Sequence, residues 1–372
     1  MEKMYRPLFI EVDLGALKRN ARKVKNYLGA DTGMIAVIKQ AAYGHGLVPV
    51  AQALSDEGVD FFGVGSIEEA VELRNNGIKN SIFVLTTVLP EFADLFIEHN
   101  IVPTITDISF AKKLSKAAVK RNVKVSAHIK IDTGMGRLGA YSKDAYKFID
   151  GVKRLDNLCL DGLYTHFPVA DSDPEFTRKQ IDIFNKVITQ LKNDNIRFNY
   201  YHCANSAAIA NYKDSHFNMA RPGIILYGIN PSVNKDLDVE PVLSLKSKVV
   251  FVKKIDKGMS VSYGRTFTAD KSTYIATVAV GYADGYPLAL SNNAKVIIKG
   301  EAFKLVGRVC MDHIMVDIGD RNDISIGDEV TLIGKEADSS VSAVDLADWA
   351  KTIPYEILSR LSLKIPRMYM IK

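Results

Sequence analysis

The sequence predicts an α/β protein: a (β/α)8 TIM-type barrel over residues 1–240, followed by a mostly β C-terminal domain over residues 241–372. Three observations predict it. The chain has 372 residues, beyond the roughly 250–300 at which one core stops growing, so a large domain and a smaller one are expected. From about residue 33 to residue 225, short β-branched runs alternate with helical patterns, the signature of parallel strands joined by crossover helices. Beyond about residue 240 the pattern changes to strands broken by Gly-containing turns, which reads as antiparallel β.

The elements follow in order. The apolar run Leu8 to Val12 precedes the alternating region, and residues 1–12 are expected to pair with the C-terminal domain. Asp13 then caps a helix on which Leu14, Leu17, Ala21, Val24 and Leu28 repeat on one face. Eight barrel strands are predicted at Met34 to Lys39, Asp60 to Val64, Ser81 to Leu85, Val102 to Ile105, Lys124 to Asp132, Cys159 to His166, Phe198 to Cys203 and Met219 to Ile225. Amphipathic segments lie between them. Asp173-Pro174 opens one, with Asp173 as cap, Pro174 at the first helical position, and Phe176, Ile183, Phe184, Val187, Ile188 and Leu191 on its apolar face. In the second domain, strands are predicted at Lys246 to Ile255, Thr273 to Val280, Lys295 to Ile298, Lys304 to Val309, Ile314 to Ile318 and Glu329 to Ile333. Helices near Ser342 to Ala350 and Pro354 to Leu363 follow, and a strand at Met368 to Ile371 ends the pattern.

Composition narrows the function classes. Apolar residues make up 47% and charged residues 24% of the chain, and no run of about 18 apolar residues could span a bilayer. The first residues lack the basic and apolar regions of a signal peptide, so a cytoplasmic protein with no membrane partner is expected. Cys159, Cys203 and Cys310 are few and far apart, which argues against a disulfide framework and against a metal site. The net charge of +5 is spread without a basic cluster interleaved with aromatics, so no nucleic acid is expected, although an anionic ligand such as a phosphate is compatible.

In a (β/α)8 barrel the catalytic groups sit just past the C-terminal strand ends. Lys39 ends the run Met34-Ile35-Ala36-Val37-Ile38, and its position after five apolar residues desolvates the amine, lowers its pKa and suits it to Schiff-base chemistry. A lysine snorkelling out of a strand end fits the same position. The fifth strand runs into Asp132-Thr133-Gly134-Met135-Gly136-Arg137, whose glycines permit a tight loop aiming Arg137 inward; a solvated surface arginine is the alternative. The sixth strand ends at His166, and a lone histidine there is more often a hydrogen-bonded structural residue than a catalyst. The seventh leads to Asn205-Ser206 and the eighth to Arg221-Pro222-Gly223-Ile224, a hydroxyl and glycine-flanked amides suited to a phosphate. Several such residues at matched strand ends point to a phosphate-bearing cofactor.

These residues closely resemble one family. Ala36-Val37-Ile38-Lys39 through Ala42-Tyr43-Gly44-His45-Gly46 looks like the cofactor-lysine signature of alanine racemases, fold-type III pyridoxal-phosphate-dependent amino-acid racemases. Further matches are collinear along nearly the whole chain: Asp132 to Arg137, Tyr164 to Phe167, Asn205 to Ala207, Arg221 to Gly223, Leu226 to Gly228, Val261 to Gly264, Gly281 to Gly285, Cys310 to Asp312 and Pro354 to Glu356. Any one of these would be weak; the ordered set is highly specific.

The resemblance implies interconversion of L- and D-alanine for peptidoglycan, with pyridoxal 5'-phosphate attached to Lys39. Racemisation needs a proton removed on one face and returned on the other, and the family uses Lys39 and Tyr263 for these roles. By the same resemblance His166 and Arg221 relay to Tyr263, and Arg221 faces the pyridine nitrogen, which an arginine does not protonate. Arg137 is implied to bind the cofactor's phenolic oxygen and the substrate carboxylate, with the Met311 amide as a second carboxylate contact. Tyr43, Asn205, Ser206, Gly223, Ile224 and Tyr355 are implied to hold the cofactor, Lys130 to be carbamylated and to position Arg137, and Asp171, Tyr282 and Arg308 to line the substrate entryway. An ordinary lysine paired with an acid is the other reading of Lys130. The family further implies a homodimer in which Tyr263 and Met311 complete the partner's site.

The chain departs from the family at one place, where the usual Lys-Ala-Asn/Asp-Ala-Tyr becomes Lys39-Gln40-Ala41-Ala42-Tyr43. A serine or broad-specificity racemase of the same fold is the nearest rival; bulky Met311 favours alanine by limiting pocket volume. A non-catalytic pyridoxal-phosphate carrier is predicted to lack both the β domain and Tyr263. A decarboxylase of this fold would carry an acid where Arg221 stands.

Overall fold

In the computed structural model, residues 5–232 and 237–371 are described. The chain forms two units, one of residues 17–42 and 47–240, the other of the residues up to Ala16, Tyr43–Gly46 and 241 onward. The second of these also takes in Tyr43–Gly46, which the chain order separates from it. Close packing explains it. A Cβ on Gly44 would lie 2.3 Å from the Leu358 carbonyl oxygen and one on Gly46 1.9 Å from the Tyr369 hydroxyl, and Arg367 Nε donates to the Gly44 carbonyl at 3.1 Å.

β1 (Phe9–Asp13) pairs antiparallel with the long strand Leu243–Ile255 and parallel with Arg367–Met370. The helix Leu14–Leu28 follows, with Asp13 Oδ1 accepting the Ala16 amide at 3.0 Å and Leu17, Ala21, Val24 and Leu28 buried. Next come β2 (Gly33–Val37), β3 (Phe61–Val64), β4 (Ser81–Val84), β5 (Thr104–Ile105), β6 (Val125–Asp132), the short β7 (Ala140–Tyr141) against β6, β8 (Leu158–Tyr164), β9 (Tyr200–His202) and β10 (Met219–Ala220). Apart from β7, these are the eight predicted barrel strands. They pair in parallel from β10 through β2, β3 and β4, and from β5 through β6 and β8 to β9. A bridge of Phe83 with Val102 links the two runs, and Arg221 N–H donates to the Ala204 carbonyl at 2.9 Å beyond β9 and β10, completing the ring.

The strands are shorter than the apolar runs that predicted them. β2 stops at Val37, β8 at Tyr164 and β10 at Ala220, because the residues beyond turn away to form the strand-end loops; Ile224–Tyr227 forms a 3-10 turn rather than strand. The barrel interior holds Ile35, Phe61, Phe83, Tyr164 and Met219, packed with the rings of His128 and His202. Gly162 is required here, since a Cβ would stand 2.5 Å from the His128 ring. Outside the ring, the helix Pro174–Asn193 begins with Asp173 accepting the Phe176 amide at 3.0 Å and buries Thr177, Gln180, Ile181, Phe184, Val187, Ile188 and Leu191.

The second unit contributes β11 (Leu243–Ile255), β12 (Ser260–Val261), β13 (Phe267–Thr268), β14 (Thr273–Val278), β15 (Lys295–Ile298), β16 (Glu301–Leu305), β17 (Ile314–Gly319), β18 (Glu329–Glu336), β19 (Ser339–Val341) and β20 (Arg367–Met370). Eight of them, all but β12 and β13, form with β1 a nine-stranded sheet in the order β19-β18-β15-β16-β17-β14-β11-β1-β20, and β18 also pairs with β11, so that six of its strands close into a ring. β12 and β13 form a separate hairpin that the sequence did not predict, because each arm is only two residues long. The strand predicted over Lys304 to Val309 sits earlier, and the residues after Leu305 are loop. The second predicted helix is Pro354–Ser359 and stops short of Leu363.

Candidate active site

The strand ends of the barrel bring Lys39, Lys130, Arg137, His166 and Arg221 within electrostatic reach of one another. Burial is the main cause that lowers the Lys39 amine pKa, Arg137 lowers it further, and Glu69 opposes them. Lys130, buried at the end of β6 with its ammonium 5.0 Å from the Tyr164 ring centroid, is lowered to about 7 by burial and by Arg221 and Arg137. Its sequence neighbour Asp132 is occupied elsewhere. The Asp132 carboxylate accepts the amides of Gly134 at 2.8 Å, Met135 at 2.9 Å and Gly136 at 2.9 Å, and so fixes the loop that carries Arg137. Gly134, Gly136 and Gly139 in that loop adopt φ of 144°, 70° and 112°. Arg137 is exposed, yet lies near enough to Lys39, Lys130 and His166 for its charge to lower the pKa of each.

Arg221 is fully enclosed, and its position is fixed by five donated bonds. Nη1 reaches His202 Nδ1 at 2.8 Å and the His202 carbonyl at 2.9 Å; Nη2 reaches the Thr165 carbonyl at 2.8 Å, the Cys203 carbonyl at 3.0 Å and His166 Nδ1 at 3.3 Å. A guanidinium only donates, so Nδ1 of both histidines accepts and each neutral ring carries its proton on Nε2. His202 Nε2 then donates to His128 Nδ1 at 2.9 Å, giving a directed chain from Arg221 into the barrel core. Gln180 supports the neighbouring strand ends by donating to Thr133 Oγ1 at 3.1 Å and to the His166 carbonyl at 3.3 Å.

Burial holds His202 well below its ordinary pKa, and it lowers His128 to about 4. Both are therefore neutral when folded, whereas the unfolded chain protonates them below about pH 6.5. Stability present above that pH is expected to be lost as pH falls toward about 4, by up to about 1.4 kcal/mol per pH unit for each histidine. Thermal midpoints at pH 7 and pH 5 check this, and a His128→Gln variant should show a shallower fall; equal slopes in the two proteins would contradict it.

At the last two strand ends, Asn205 caps the helix Ser206–Asn211 by accepting the Ala208 amide at 3.0 Å, and Ser206 Oγ accepts the Gly223 amide at 2.9 Å beside buried Ile224. This donor set fits an anionic aldehyde cofactor: Lys39, Lys130, Arg137 and Arg221 gather with Asp132 and Glu69 as counter-charges, and the Lys39 amine has reduced proton affinity. Asp171 lies exposed in the segment after β8, bonded to the Ser172 hydroxyl at 3.2 Å.

The second unit gathers another group. Tyr263 is 70% exposed, between Ser262 at φ 67° and Gly264 at φ 71°. Ser262 Oγ donates to the Arg308 carbonyl at 2.6 Å, and a Cβ on Gly307 would meet Ser262 Cβ at 2.7 Å, so the Tyr263 turn is tied to the Arg308–Cys310 loop. That loop is tied in turn to Tyr282, whose amide donates to the Cys310 carbonyl at 3.0 Å, while Ala283 N–H reaches the Met311 carbonyl at 3.1 Å. Tyr263, Tyr282, Arg308 and Met311 thus share one bonded set of loops, with Tyr282 and Met311 exposed. Tyr43 is buried, its ring 6.0 Å from that of Tyr355. Sequence reasoning missed Glu69, His128, His202, Thr165 and Gln180; the histidines sit inside strands, and the only signal was an unusual polar residue amid β-branched ones.

The chain matches the family profile "Alanine racemase, N-terminal domain" over residues 12–231 and "Alanine racemase, C-terminal domain" over residues 242–369. It is 41% identical over 371 residues to the alanine racemase of Halothermothrix orenii, covering 99% of this chain and 98% of that one. Alanine racemase 1 of Caldanaerobacter subterraneus subsp. tengcongensis is likewise 41% identical, covering 98% and 95%. Among solved structures, alanine racemase of Clostridium difficile 630 superposes with a TM-score of 0.92 at 38% identity, over 99% of this chain and 97% of that one. The Bacillus anthracis alanine racemase with bound L-Ala-P gives 0.92 at 34% identity, over 99% and 96%. By profiles spanning both domains and by identity along its length, the chain belongs to the alanine racemase family, whose members are isomerases that interconvert L- and D-alanine with pyridoxal 5'-phosphate.

Proposed function

We propose that Lys39 anchors the cofactor and that Lys39 and Tyr263 are the two opposed proton carriers in the racemisation of alanine. The observation that carries this reading is the convergence of a lysine of lowered proton affinity, a fixed buried arginine and two further cations at the ends of the barrel strands. When bound, pyridoxal phosphate supplies the electron sink that makes the amino acid's Cα acidic. The protein's own groups do the rest. Arg137 would receive the substrate carboxylate together with the Met311 amide, Tyr43, Ser206, Gly223, Ile224 and Tyr355 would hold the cofactor's phosphate, and Asn205 would stand beside them at the cofactor. Arg221, with both terminal nitrogens bonded, would stand as a fixed cation toward the cofactor's ring nitrogen, which an arginine does not protonate. His166, neutral through burial and four neighbouring cations, is the relay between Arg221 and the phenol of Tyr263.

In this reading the active form is a cytoplasmic homodimer supplying D-alanine for peptidoglycan, in which Tyr263 and Met311 of one chain complete the site on its partner. The exposure of both side chains on one bonded loop set supports it, since exposed large apolar groups at a shared patch favour association. Lys39→Ala and Tyr263→Phe homodimers, each inactive, are expected to regain up to about a quarter of wild-type activity when their subunits are exchanged, since one site in the mixed dimer has both carriers. No recovery after verified exchange would refute site sharing. Met311 supports alanine over serine by restricting side-chain volume.

Lys130 is proposed to be carbamylated. An amine lowered to about 7 is about half unprotonated at neutral pH and can add to carbon dioxide with release of a proton to solvent, and the resulting anion offsets the surrounding cations. Protein prepared in 13C-bicarbonate is expected to show a carbamate carbon resonance that Lys130→Ala lacks; its absence from the wild type would contradict the assignment.

A further inference from the structure

The residues after Lys39 form a rare backbone structure. Gln40, Ala41, Ala42 and Tyr43 have φ of 53°, 51°, 55° and 53°, a left-handed turn without a single glycine. L-residues avoid this region because Cβ crowds the following carbonyl, so such a turn persists only where its surroundings hold it. Asn and Asp tolerate the left-handed region better than other non-glycine residues, and the related signature carries one of them where this chain has Ala41.

One restraint is the Ala42 amide, which donates to the Ile38 carbonyl at 2.8 Å. The other comes from a distant helix. Ser66-Ile67-Glu68-Glu69 has capping-box spacing, in which the acid normally returns to the amide of the cap. Half of that box is present, since Glu69 N–H donates to Ser66 Oγ at 3.3 Å. The Glu69 carboxylate instead spans two other amides, taking Gly65 N–H at 2.8 Å on Oε2 and Ala41 N–H at 3.0 Å on Oε1. The Lys39 stem packs into the same corner, because a Cβ on Gly65 would lie 3.2 Å from Lys39 Cβ and 3.4 Å from Glu69 Oε2.

We infer that Glu69 is a positioning residue whose carboxylate clamps the left-handed turn after Lys39 to the end of β3, and so fixes the Lys39 amine for cofactor attachment and proton transfer. The inference rests on the reading of Lys39 as the cofactor lysine. Charge supports it, since Glu69 opposes the loss of proton affinity that burial imposes on that amine. Ala41 makes the clamp matter more here than a turn-tolerant residue would.

The test uses full-length holoenzyme. Glu69→Gln preserves size but turns an NH2 group toward one of the two amide donors. It is expected to release cofactor about tenfold faster, followed as decay of the visible absorbance of the lysine-bound cofactor, and to lower kcat about tenfold. KM should stay within about twofold, since substrate contacts are untouched. Adding Ala41→Gly, which removes the strain at φ 51°, should restore most of both losses. Wild-type cofactor release and kcat in Glu69→Gln, or no rescue by Ala41→Gly, would overturn the inference. If Glu69→Gln does not fold, Ala41→Gly alone decides: release slower than wild type supports the clamp, and unchanged release overturns it. Borohydride reduction and peptide mapping separate the two levels: label elsewhere than Lys39 overturns the reading of Lys39 and this inference together, whereas label on Lys39 with wild-type behaviour in Glu69→Gln overturns the clamp alone.

Discussion

Lys39→Ala is expected to give a folded protein that holds no covalently attached cofactor and racemises alanine at least about 10,000-fold more slowly than wild type. The size of the effect follows from a double role. The amine is both the attachment point and one of two proton carriers, and among the residues brought to the barrel rim only Lys130 is another primary amine. Lys130 cannot substitute from where it is, enclosed against the Tyr164 ring at the end of β6. Folding should survive, because Lys39 lies past the end of β2 and contributes no ladder bond. The variant is checked by the absence of visible cofactor absorbance after dialysis, by its unfolding midpoint, and by turnover. A Lys39→Ala protein with retained borohydride-reducible cofactor and measurable turnover would show that another lysine carries the chemistry.

Tyr263→Phe is expected to separate attachment from proton transfer. It removes one hydroxyl from a residue that is 70% exposed in a single chain, so neither stability nor the spectrum of the bound cofactor should change. A lost acid–base group costs about 100- to 10,000-fold, and the loss should fall on kcat with little change in KM. Exchange of the substrate Cα proton with deuterated solvent should become confined to one antipode, since the face served by Lys39 stays intact. Unchanged racemisation by Tyr263→Phe would refute the two-carrier scheme while leaving the cofactor assignment standing.

Much of this was legible in the sequence because a parallel barrel writes its own address. Alternating β-branched runs and amphipathic segments located all eight strands, and the rule that chemistry sits beyond their C-terminal ends singled out Lys39, His166, Ser206 and Arg221 before any geometry was known. The parts that stayed hidden depend on direction rather than position. Arg137 follows two glycines, Gly134 and Gly136, and only the turn that Asp132 builds on the loop amides fixes the segment that carries it. His128 lies within β6 and His202 ends β9, where alternation shows which side a residue faces but not that two imidazoles and Arg221 form one hydrogen-bonded chain.

The clamp on the lysine turn was hidden for a related reason. Ser66 to Glu69 reads as an ordinary helix cap, and it partly is one; its carboxylate bonds residue 41, twenty-eight positions away, through a backbone amide that no side-chain pattern reveals. Four consecutive positive φ values at Gln40–Tyr43 are equally invisible, because none of these residues is glycine. The departure at Gln40-Ala41 consequently changes meaning. Gln40 is exposed and the Ala41 amide bonds Glu69, so the departure falls on the turn that follows the lysine.

The central claim is that this chain moves a proton across both faces of alanine's Cα. The most direct test follows the circular dichroism of L-alanine, with L-serine in parallel, on adding holoenzyme. The account predicts that the L-alanine signal decays to zero as the racemate forms, with L-serine decaying far more slowly; a stable L-alanine signal in the presence of lysine-bound cofactor would contradict it.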